Sequence, residues 1–255
     1  MKPRAPRAAA KERIERVYGL SAARSVLERR PQSVISIAHT PEVRRAIADM
    51  LREAARRRIA YREVDDAELS RMADSVHHEG VCVLVKPQPA PGLAQLLQGV
   101  ADHALLLALD GVQNPHNVGA ILRTAAYFGV SALLLADAER SLLTAAARRV
   151  AEGGAEVVPV LHVAALGPAL RTLAEAQFVV VGADARAKVA LPALRWPKRA
   201  VLVLGHEQHG LSAEARKACK TLVGIPGSAA IESLNVSVAA GIFMASYAAA
   251  HGAAT

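Results

Sequence analysis

The chain of 255 residues is long enough for one large domain or two of ordinary size, and its 52% of apolar residues suffice for a core. Aromatic residues make up only 3%, which disfavours a surface that stacks many nucleic-acid bases. Of the formal charge of +8, residues 1–100 carry +6, with 18 basic and 12 acidic residues. This N-terminal excess is typical of a surface that binds a polyanion, and an ordinary basic surface explains it equally well.

Several features bear on compartment and partners. Residues 1–15 are basic and lack the apolar run of a secretory signal, so we expect a flexible arm there. The best candidate for a membrane span, residues 236–250, is shorter than the roughly 18 apolar residues that cross a bilayer. Cys82, in an apolar run, and Cys219, among basic residues, suggest neither a disulfide framework nor a zinc site. These features predict a cytoplasmic protein with no membrane partner and no bound metal.

Residues 16–86 predict a small α/β domain. Alternating apolar residues predict strands, and apolar residues three or four apart predict helices, the second of which opens on aspartate caps. The strands are expected at residues 33–40, 59–64 and 80–86, and the helices at residues 41–57 and 65–74. Residues 87–101 begin with PQPAPG, a composition typical of a stiff linker, so we place the domain boundary there.

The remaining chain, residues 102–255, alternates apolar runs with helical patterns. The runs are apolar on both faces, which favours a parallel sheet covered by helices on both sides. Strands are expected at residues 103–110, 131–136, 156–160, 177–182, 200–205 and 221–225. Ligands of such sheets bind at the loops that follow the carboxyl ends of the strands. Three of these loops contain unusual residues.

The first loop is DGVQNPHNVGAILRTA, residues 110–125. Its Asn117 can cap the following helix, and Gly119 permits close approach of another backbone. Arg123 follows within the second helical turn, and arginine is a preferred ligand for phosphate. A capped helix with a surface arginine is the alternative interpretation.

The second loop, VLVLGHEQHGLS at residues 201–212, resembles a phosphate-binding P-loop. That motif needs a lysine where this chain has Leu211, which disfavours a nucleotide hydrolase. What remains is a glycine turn with Glu207 between His206 and His209. A metal site is disfavoured because no cysteine or third histidine lies nearby.

The third loop, IPGSAAIESLNVS at residues 225–237, leads from a strand into an alanine-rich helix. Asn and Ser favour helix starts, where free backbone N–H groups and partial positive charge are available to a ligand. Helix capping alone is the alternative explanation of the SLNVS segment.

The order and spacing of the three loops together resemble the motifs of the SpoU/TrmH family of RNA 2′-O-ribose methyltransferases. The matching residues are Asn114, Pro115, Asn117, Gly119, Arg123 and Thr124 in the first motif, Leu204, Gly205, Glu207, Gly210 and Leu211 in the second, and Ser233 to Ser237 in the third. The resemblance covers residues 104–250. It extends backwards through VYGLSAARSVLERRP and HHEGVCVLV, and the whole chain is similar to the YfiF-like branch of the family.

The resemblance implies a fold. The C-terminal domain, residues 102–255, would be a parallel-sheet α/β domain of the SPOUT type with a deep trefoil knot. The preceding α/β domain, residues 16–86, would be a ribosomal-protein L30e-like module that binds RNA. The family also implies a homodimer formed through the knot domain. We expect the dimer face on a stripe of the last helix that comprises Ala239, Ala240, Phe243, Met244 and Tyr247, and burial of this stripe in the core of a single chain is the alternative.

The resemblance also implies S-adenosylmethionine as cofactor and RNA as substrate. The adenine of S-adenosylmethionine would be held largely by backbone groups of Leu204, Gly205, Ile225 and Leu234. The cofactor site as a whole would also include Glu207, Gly210 and Asn235. The catalytic residues would be Arg123, Asn117, Glu207, Ser233 and Asn235. Because a guanidinium is not expected to deprotonate, we assign Arg123 to the target phosphate and to developing charge, rather than to a general base. Glu207 would hold either Arg123 or Asn117.

Two further expectations concern RNA binding and turnover. Arg52, Arg56, Arg57 and Arg58 form a dense basic patch that would contact RNA phosphates, although a solvated helix end explains the run as well. The chain departs from the family pattern at Gly227, Ala229 and His206. An RNA-binding protein of this fold with little or no turnover is therefore the alternative to an active enzyme.

Overall fold

A computed structural model describes residues 14–87, 91–228 and 230–252. The first unit is built on a four-stranded sheet in the order β1-β4-β2-β3, in which β2 and β3 are parallel and the other pairs antiparallel. Its elements are β1 (Glu15–Tyr18), α1 (Leu20–Arg29), β2 (Val34–His39), α2 (Ala48–Arg56), β3 (Ala60–Glu63), α3 (Asp66–Ala73) and β4 (Val81–Val85).

The predicted strands and helices of this unit are present, β1 and α1 are additional elements that were not predicted, and two boundaries differ. The start of β1 falls inside the segment expected to be a flexible arm, whose residues 1–13 lie outside the described residues. The helix expected at residues 41–57 is a 3₁₀ turn (Pro41–Val43) followed by α2. The Asp65 carboxylate accepts a hydrogen bond from the Glu68 N–H at 2.6 Å, so the predicted aspartate cap begins α3.

The second unit is built on a seven-stranded sheet in the order β7-β6-β5-β10-β8-β11-β9, and every pair in it is parallel. Its strands are β5 (Ala104–Asp110), β6 (Ala132–Ala136), β7 (Val160–Val163), β8 (Val179–Ala183), β9 (Val189–Ala190), β10 (Arg199–Gly205) and β11 (Thr221–Gly224). Its helices are α4 (Leu93–Gly99), α5 (Pro115–Tyr127), α6 (Ala145–Val150), α7 (Gly154–Val157), α8 (Leu166–Glu175), α9 (Ala213–Ala218) and α10 (Val236–His251).

Helices cover both faces of this sheet, as the apolar runs predicted. On one face α5 and α10 pack against alternate residues of β5, β6 and β10, and on the other face α8 and α9 pack against the intervening residues. Six of the seven residues of β5 are buried, which explains its nearly continuous leucine run. Among the described residues, no helix is long and apolar enough to cross a membrane.

Three predictions about the second unit need correction. The strand expected at residues 156–160 is wrong, because residues 154–157 form α7 and the strand β7 begins only at Val160. Two valines before a proline fit a short helix as well as a strand, so periodicity does not separate them. The two-residue edge strand β9 was missed, and the expected linker contains α4. The domain boundaries and the trefoil knot stay predictions.

Ion pairs join the two units. The Arg30 guanidinium bonds both carboxylate oxygens of Glu156, at 2.6 and 2.9 Å, and the two side chains are only 3% and 5% exposed. Arg148 also bonds Glu156, at 3.1 Å, and Glu15 of β1, at 3.2 Å. Removing one partner of a buried pair leaves a charge without compensation, so these contacts hold the first unit against α6 and α7.

Candidate active site

The three motif loops meet at one edge of the seven-stranded sheet. They follow the carboxyl ends of β5, β10 and β11, which are parallel and close together in the sheet order. In a parallel α/β sheet this edge is where ligands bind. The geometry therefore brings together the segments at residues 110–117, 205–212 and 225–235.

A chain of hydrogen bonds, here called the polar cluster, joins Glu207, Asn117 and Asn235. Asn117 Nδ2 donates to Glu207 Oε1 at 2.9 Å, and Asn235 Nδ2 donates to Asn117 Oδ1 at 3.1 Å. Asn235 Oδ1 in turn accepts from the N–H and hydroxyl of Ser237, at 2.9 and 2.6 Å. Each motif loop contributes one residue, so the polar cluster fixes the three loops relative to one another.

The local sequence explains why Asn117 is available for this role. The N-cap of α5 is Asn114, whose Oδ1 accepts the His116 N–H at 2.9 Å, and Pro115 occupies the first helical position. The prediction that Asn117 caps the helix is therefore wrong. Asn117 lies inside the first turn of α5, 9% exposed, with its amide directed towards the other two loops.

Two motif glycines are required by close backbone contacts. A Cβ on Gly205 would lie 2.3 Å from the carbonyl carbon of Gly210, because residues 206–210 fold back on the end of β10. The His206 and Gly210 backbones exchange hydrogen bonds of 3.0 and 2.8 Å across this turn. A Cβ on Gly119 would lie 2.5 Å from the carbonyl oxygen of Ala147, so Gly119 permits contact between α5 and α6.

The turn at residues 206–210 presents Glu207 between two histidines. His206 Nδ1 accepts the Gln208 N–H at 2.9 Å, so this ring stabilises the turn. The His206 and His209 rings lie next to each other, tilted by 33° with centroids 4.6 Å apart. Within the described ranges, no cluster of three His, Cys, Asp or Glu residues has a geometry that would hold a metal.

Arg123 lies apart from the polar cluster. Its Nη1 bonds Glu152 Oε1 at 2.6 Å, on the turn between α6 and α7. Arg123 follows Asn117 by six positions, which places the two side chains about 120° apart around the helix. Of the two partners expected for Glu207, the structure shows Asn117. Arg123 instead bonds Glu152, a partner that the sequence did not indicate.

The residues expected to hold the cofactor line the same edge. Leu204 is buried in the core and Ile225 packs against it, whereas Ser233 and Leu234 are exposed beside the start of α10. Leu234 and Ile231 are large apolar side chains, 41% and 71% exposed, in the loop that precedes α10. Exposed apolar side chains can pack against the flat face of an aromatic ring, so these residues fit the face of an adenine ring. Ala229 lies outside the described residues.

Sequence reasoning missed Glu139, which ties two strand ends at this edge. Its carboxylate accepts the Gly111 N–H at 2.6 Å and the Ala136 N–H at 3.3 Å, which links the ends of β5 and β6. Burial raises the pKa of this carboxyl above its ordinary value. The sequence signal that could have identified Glu139 is an acidic residue shortly after an apolar run that predicts a strand.

The basic patch of the first unit lies at the end of α2. Glu53 pairs with Arg56 at 3.4 Å and with Arg57 at 2.5 Å, and these contacts offset part of the positive charge. Arg52 and Arg58 are exposed, and among the described residues they have no ion-pair partner. The positive charge of the patch that no carboxylate offsets is therefore that of Arg52 and Arg58.

Residues 104–245 match the family model described as "SpoU rRNA Methylase family", and residues 16–91 match "RNA 2′-O ribose methyltransferase substrate binding". The chain is 38% identical over 232 residues to the 23S rRNA (guanosine-2′-O-)-methyltransferase RlmB of Nitrosomonas europaea, covering 89% of this chain and 88% of RlmB. It is 34% identical over 229 residues to the uncharacterized tRNA/rRNA methyltransferase YfiF of Escherichia coli O157:H7, covering 90% of this chain but only 66% of YfiF.

The fold agrees with these matches. The crystal structure of the SpoU methyltransferase AviRb from Streptomyces viridochromogenes with AdoMet superposes with a TM-score of 0.78 at 22% identity, covering 92% of this chain and 89% of AviRb. The resemblance deduced from the three motifs is thereby confirmed. The chain belongs to the SpoU family of RNA ribose 2′-O-methyltransferases, which use S-adenosylmethionine as methyl donor.

Proposed function

We propose that this chain transfers a methyl group from S-adenosylmethionine to a ribose 2′-hydroxyl of a structured RNA, with ribosomal RNA as the first candidate. The observation that carries the proposal is the polar cluster, because it joins one residue from each motif loop at the ligand-binding edge of the sheet. Ribosomal RNA is favoured over transfer RNA because RlmB, named for 23S rRNA, is matched over most of its length.

The donor side is built largely from backbone. S-adenosylmethionine, when bound, supplies a methyl group that its sulfonium charge activates. Leu204, Gly205, Gly210 and Ile225 would contact the adenosine through main-chain groups, and Leu234 would add apolar surface. The sheet order, in which β10 lies between β5 and β8, is compatible with a trefoil knot around this site.

The acceptor side is built from the polar cluster. Asn117 uses both ends of its amide within the cluster, so its orientation is set before RNA binds. Glu207 bonds Asn117 through Oε1, which leaves Oε2 to accept a hydrogen bond from a ribose hydroxyl. Ser233 and Asn235 would position the same ribose. Alignment of the 2′-oxygen with the methyl group is the larger part of this catalysis.

Arg123 would bind the phosphate next to the target ribose. A guanidinium offers five N–H donors and no acceptor, and it is not expected to deprotonate in a protein. Its contribution is therefore positioning of the RNA and stabilisation of the negative charge that develops on the attacking oxygen.

The first unit, residues 16–86, would select the RNA, and residues 102–255 would form the methyltransferase unit. The match of residues 16–91 to a substrate-binding family supports this division. Arg52 and Arg58, with Arg56 and Arg57 beside them, would contact phosphates of the RNA. Because the substrate is cellular RNA, we propose a cytoplasmic location.

We also propose a homodimer, on a different face of α10 from the one expected. Ala240, Phe243, Met244 and Tyr247 are buried in the core of this chain, so that stripe is not a dimer face. Val238 and Ile242 lie on the outer side of α10, 51% and 37% exposed. A second copy of the chain would cover this apolar face.

The test is methyl transfer by the purified protein. Ribosomal RNA from cells that lack the gene is incubated with S-adenosylmethionine labelled in its methyl group, and the RNA is digested to nucleosides. Label in one 2′-O-methylated nucleoside is expected. The alternative is an RNA-binding protein without turnover, which the departure from the family pattern at Gly227 favours. It would be supported if the protein binds RNA but transfers no label, and if calorimetry detects no binding of S-adenosylmethionine at millimolar concentration.

A further inference from the structure

Arg123 and Glu152 form an ion pair at the surface. The Nη1–Oε1 distance is 2.6 Å, and the side chains are 58% and 46% exposed. Exposed pairs contribute little to stability, so the contact matters chiefly for where the guanidinium points. Only Nη1 takes part, which leaves the donors on Nε and Nη2 without a partner among the described residues.

Glu152 occupies an unusual backbone conformation. Its φ is 45°, in the left-handed region that residues with a Cβ rarely adopt. It is followed by Gly153, with φ of 89°, and the turn is closed by a hydrogen bond from the Gly154 N–H to the Ala151 carbonyl at 2.8 Å. Residues in such conformations persist when the surrounding structure determines them, and they are enriched at functional sites.

The turn is packed against the backbone of α5 next to Arg123. A Cβ on Gly154 would lie 2.6 Å from the Leu122 carbonyl oxygen and 3.0 Å from Arg123 Cα. Gly154 therefore has no room for a side chain, and the turn lies directly against the backbone of this helix. As a result, the backbone of the turn that carries Glu152 lies close to the Cα of Arg123.

The same turn contacts the first unit. A Cβ on Gly153 would lie 2.7 Å from the Ser25 Cβ, and the Ser25 hydroxyl donates to the Gly153 carbonyl at 3.3 Å. Arg149, one helical turn earlier, bonds Glu79 of the first unit at 3.2 Å. Glu152 thus lies between the unit proposed to select RNA and the arginine proposed to bind the target phosphate.

We propose that Glu152 is a positioning residue that holds the Arg123 guanidinium ready for an RNA phosphate. The inference rests on the proposed function of Arg123. Glu152 restricts a long flexible side chain through one nitrogen, and the remaining donors would be available to the phosphate. Ordering this side chain before RNA binds lowers the entropic cost of reaching the transition state.

The test is a double-mutant cycle on kcat, measured under single turnover with saturating RNA. Glu152→Gln should lower the rate roughly three- to tenfold with unchanged S-adenosylmethionine affinity and thermal midpoint. In the Arg123→Ala background the same substitution should change nothing, because its effect passes through Arg123. Glu152→Asp, which keeps the carboxylate, should recover part of the loss. Glu63→Gln is the matched control, since Glu63 forms a similar exposed pair with Arg44.

The outcomes separate the two hypotheses. If Arg123→Ala lowers the rate but Glu152→Gln does not, or if the two effects multiply in the double variant, the positioning role is overturned while the proposed function stands. If Arg123→Ala itself leaves the rate unchanged, the assignment of Arg123 is wrong and the positioning role falls with it.

Discussion

The polar cluster and the Arg123–Glu152 pair both arise from α5, yet they are built differently. Asn117 is nearly buried and bonded at both ends of its amide, whereas Arg123 is more than half exposed and bonded through one nitrogen. The first arrangement fixes three loops within the chain, and the second leaves donors for a ligand. On the proposed roles, the ribose would be held by residues bonded to one another within the chain, and the phosphate by an exposed side chain that a single contact orients. Four substitutions test this difference.

The largest effect is expected from Arg123→Ala. Removing the phosphate contact and the charge stabilisation should lower methyl transfer by at least about 100-fold. Affinity for S-adenosylmethionine, measured by calorimetry, should stay nearly unchanged because Arg123 lies outside the proposed cofactor loops. Arg171→Ala, at another exposed arginine, serves as control. Undiminished turnover would remove Arg123 from the site.

Asn117→Ala should affect stability as well as activity. It removes the hydrogen bonds to Glu207 and Asn235, each worth about 0.5–1.5 kcal/mol, because these two residues are exposed and water can replace their partner. Urea denaturation measures this cost, and methyl transfer should also fall. Asn114→Ala is the control, because it removes the cap of the same helix without touching Glu207. Equal loss of activity in both variants would contradict a specific role for the polar cluster.

Several elements of this site were accessible from the sequence and several were not. The apolar runs located β5, β10 and β11, and the spacing of motif residues identified Asn117, Glu207 and Asn235 through the family resemblance. The Glu152–Arg123 contact had no such signal, because it depends on a turn whose left-handed backbone is not predictable from a Glu-Gly-Gly segment. Strand β1 was missed because its four residues pair with β4, nearly seventy residues later in the chain.

A smaller effect is expected in the first unit, where the proposed RNA contact is again an exposed charge. Arg52→Ala should weaken RNA binding and reduce the slope of log affinity against log salt by about 1, as for one lost phosphate contact. Arg57→Ala should change the slope less, because Arg57 is already paired with Glu53. Filter binding over a series of salt concentrations measures both. Identical slopes for wild type and Arg52→Ala would place the RNA elsewhere.

The smallest effect concerns Glu139, at the rigid edge of the sheet. Burial raises the pKa of this carboxyl above its usual value of 4.5. Its folded-state pKa therefore exceeds its unfolded-state pKa, so folding is favoured by the protonated form, and stability decreases as pH rises through the folded-state pKa. Glu139→Gln should remove this decrease. Urea midpoints between pH 4 and pH 7 that fall equally in wild type and variant would contradict the prediction.

The central claim is that the three motif loops form a methyl-transfer site for RNA ribose. Its most direct test is a map of ribose 2′-O-methylation in cellular RNA from cells with the gene, without it, and with Glu207→Ala in its place. The account predicts one nucleotide that is methylated only when the wild-type protein is present. Identical maps in all three strains would contradict it.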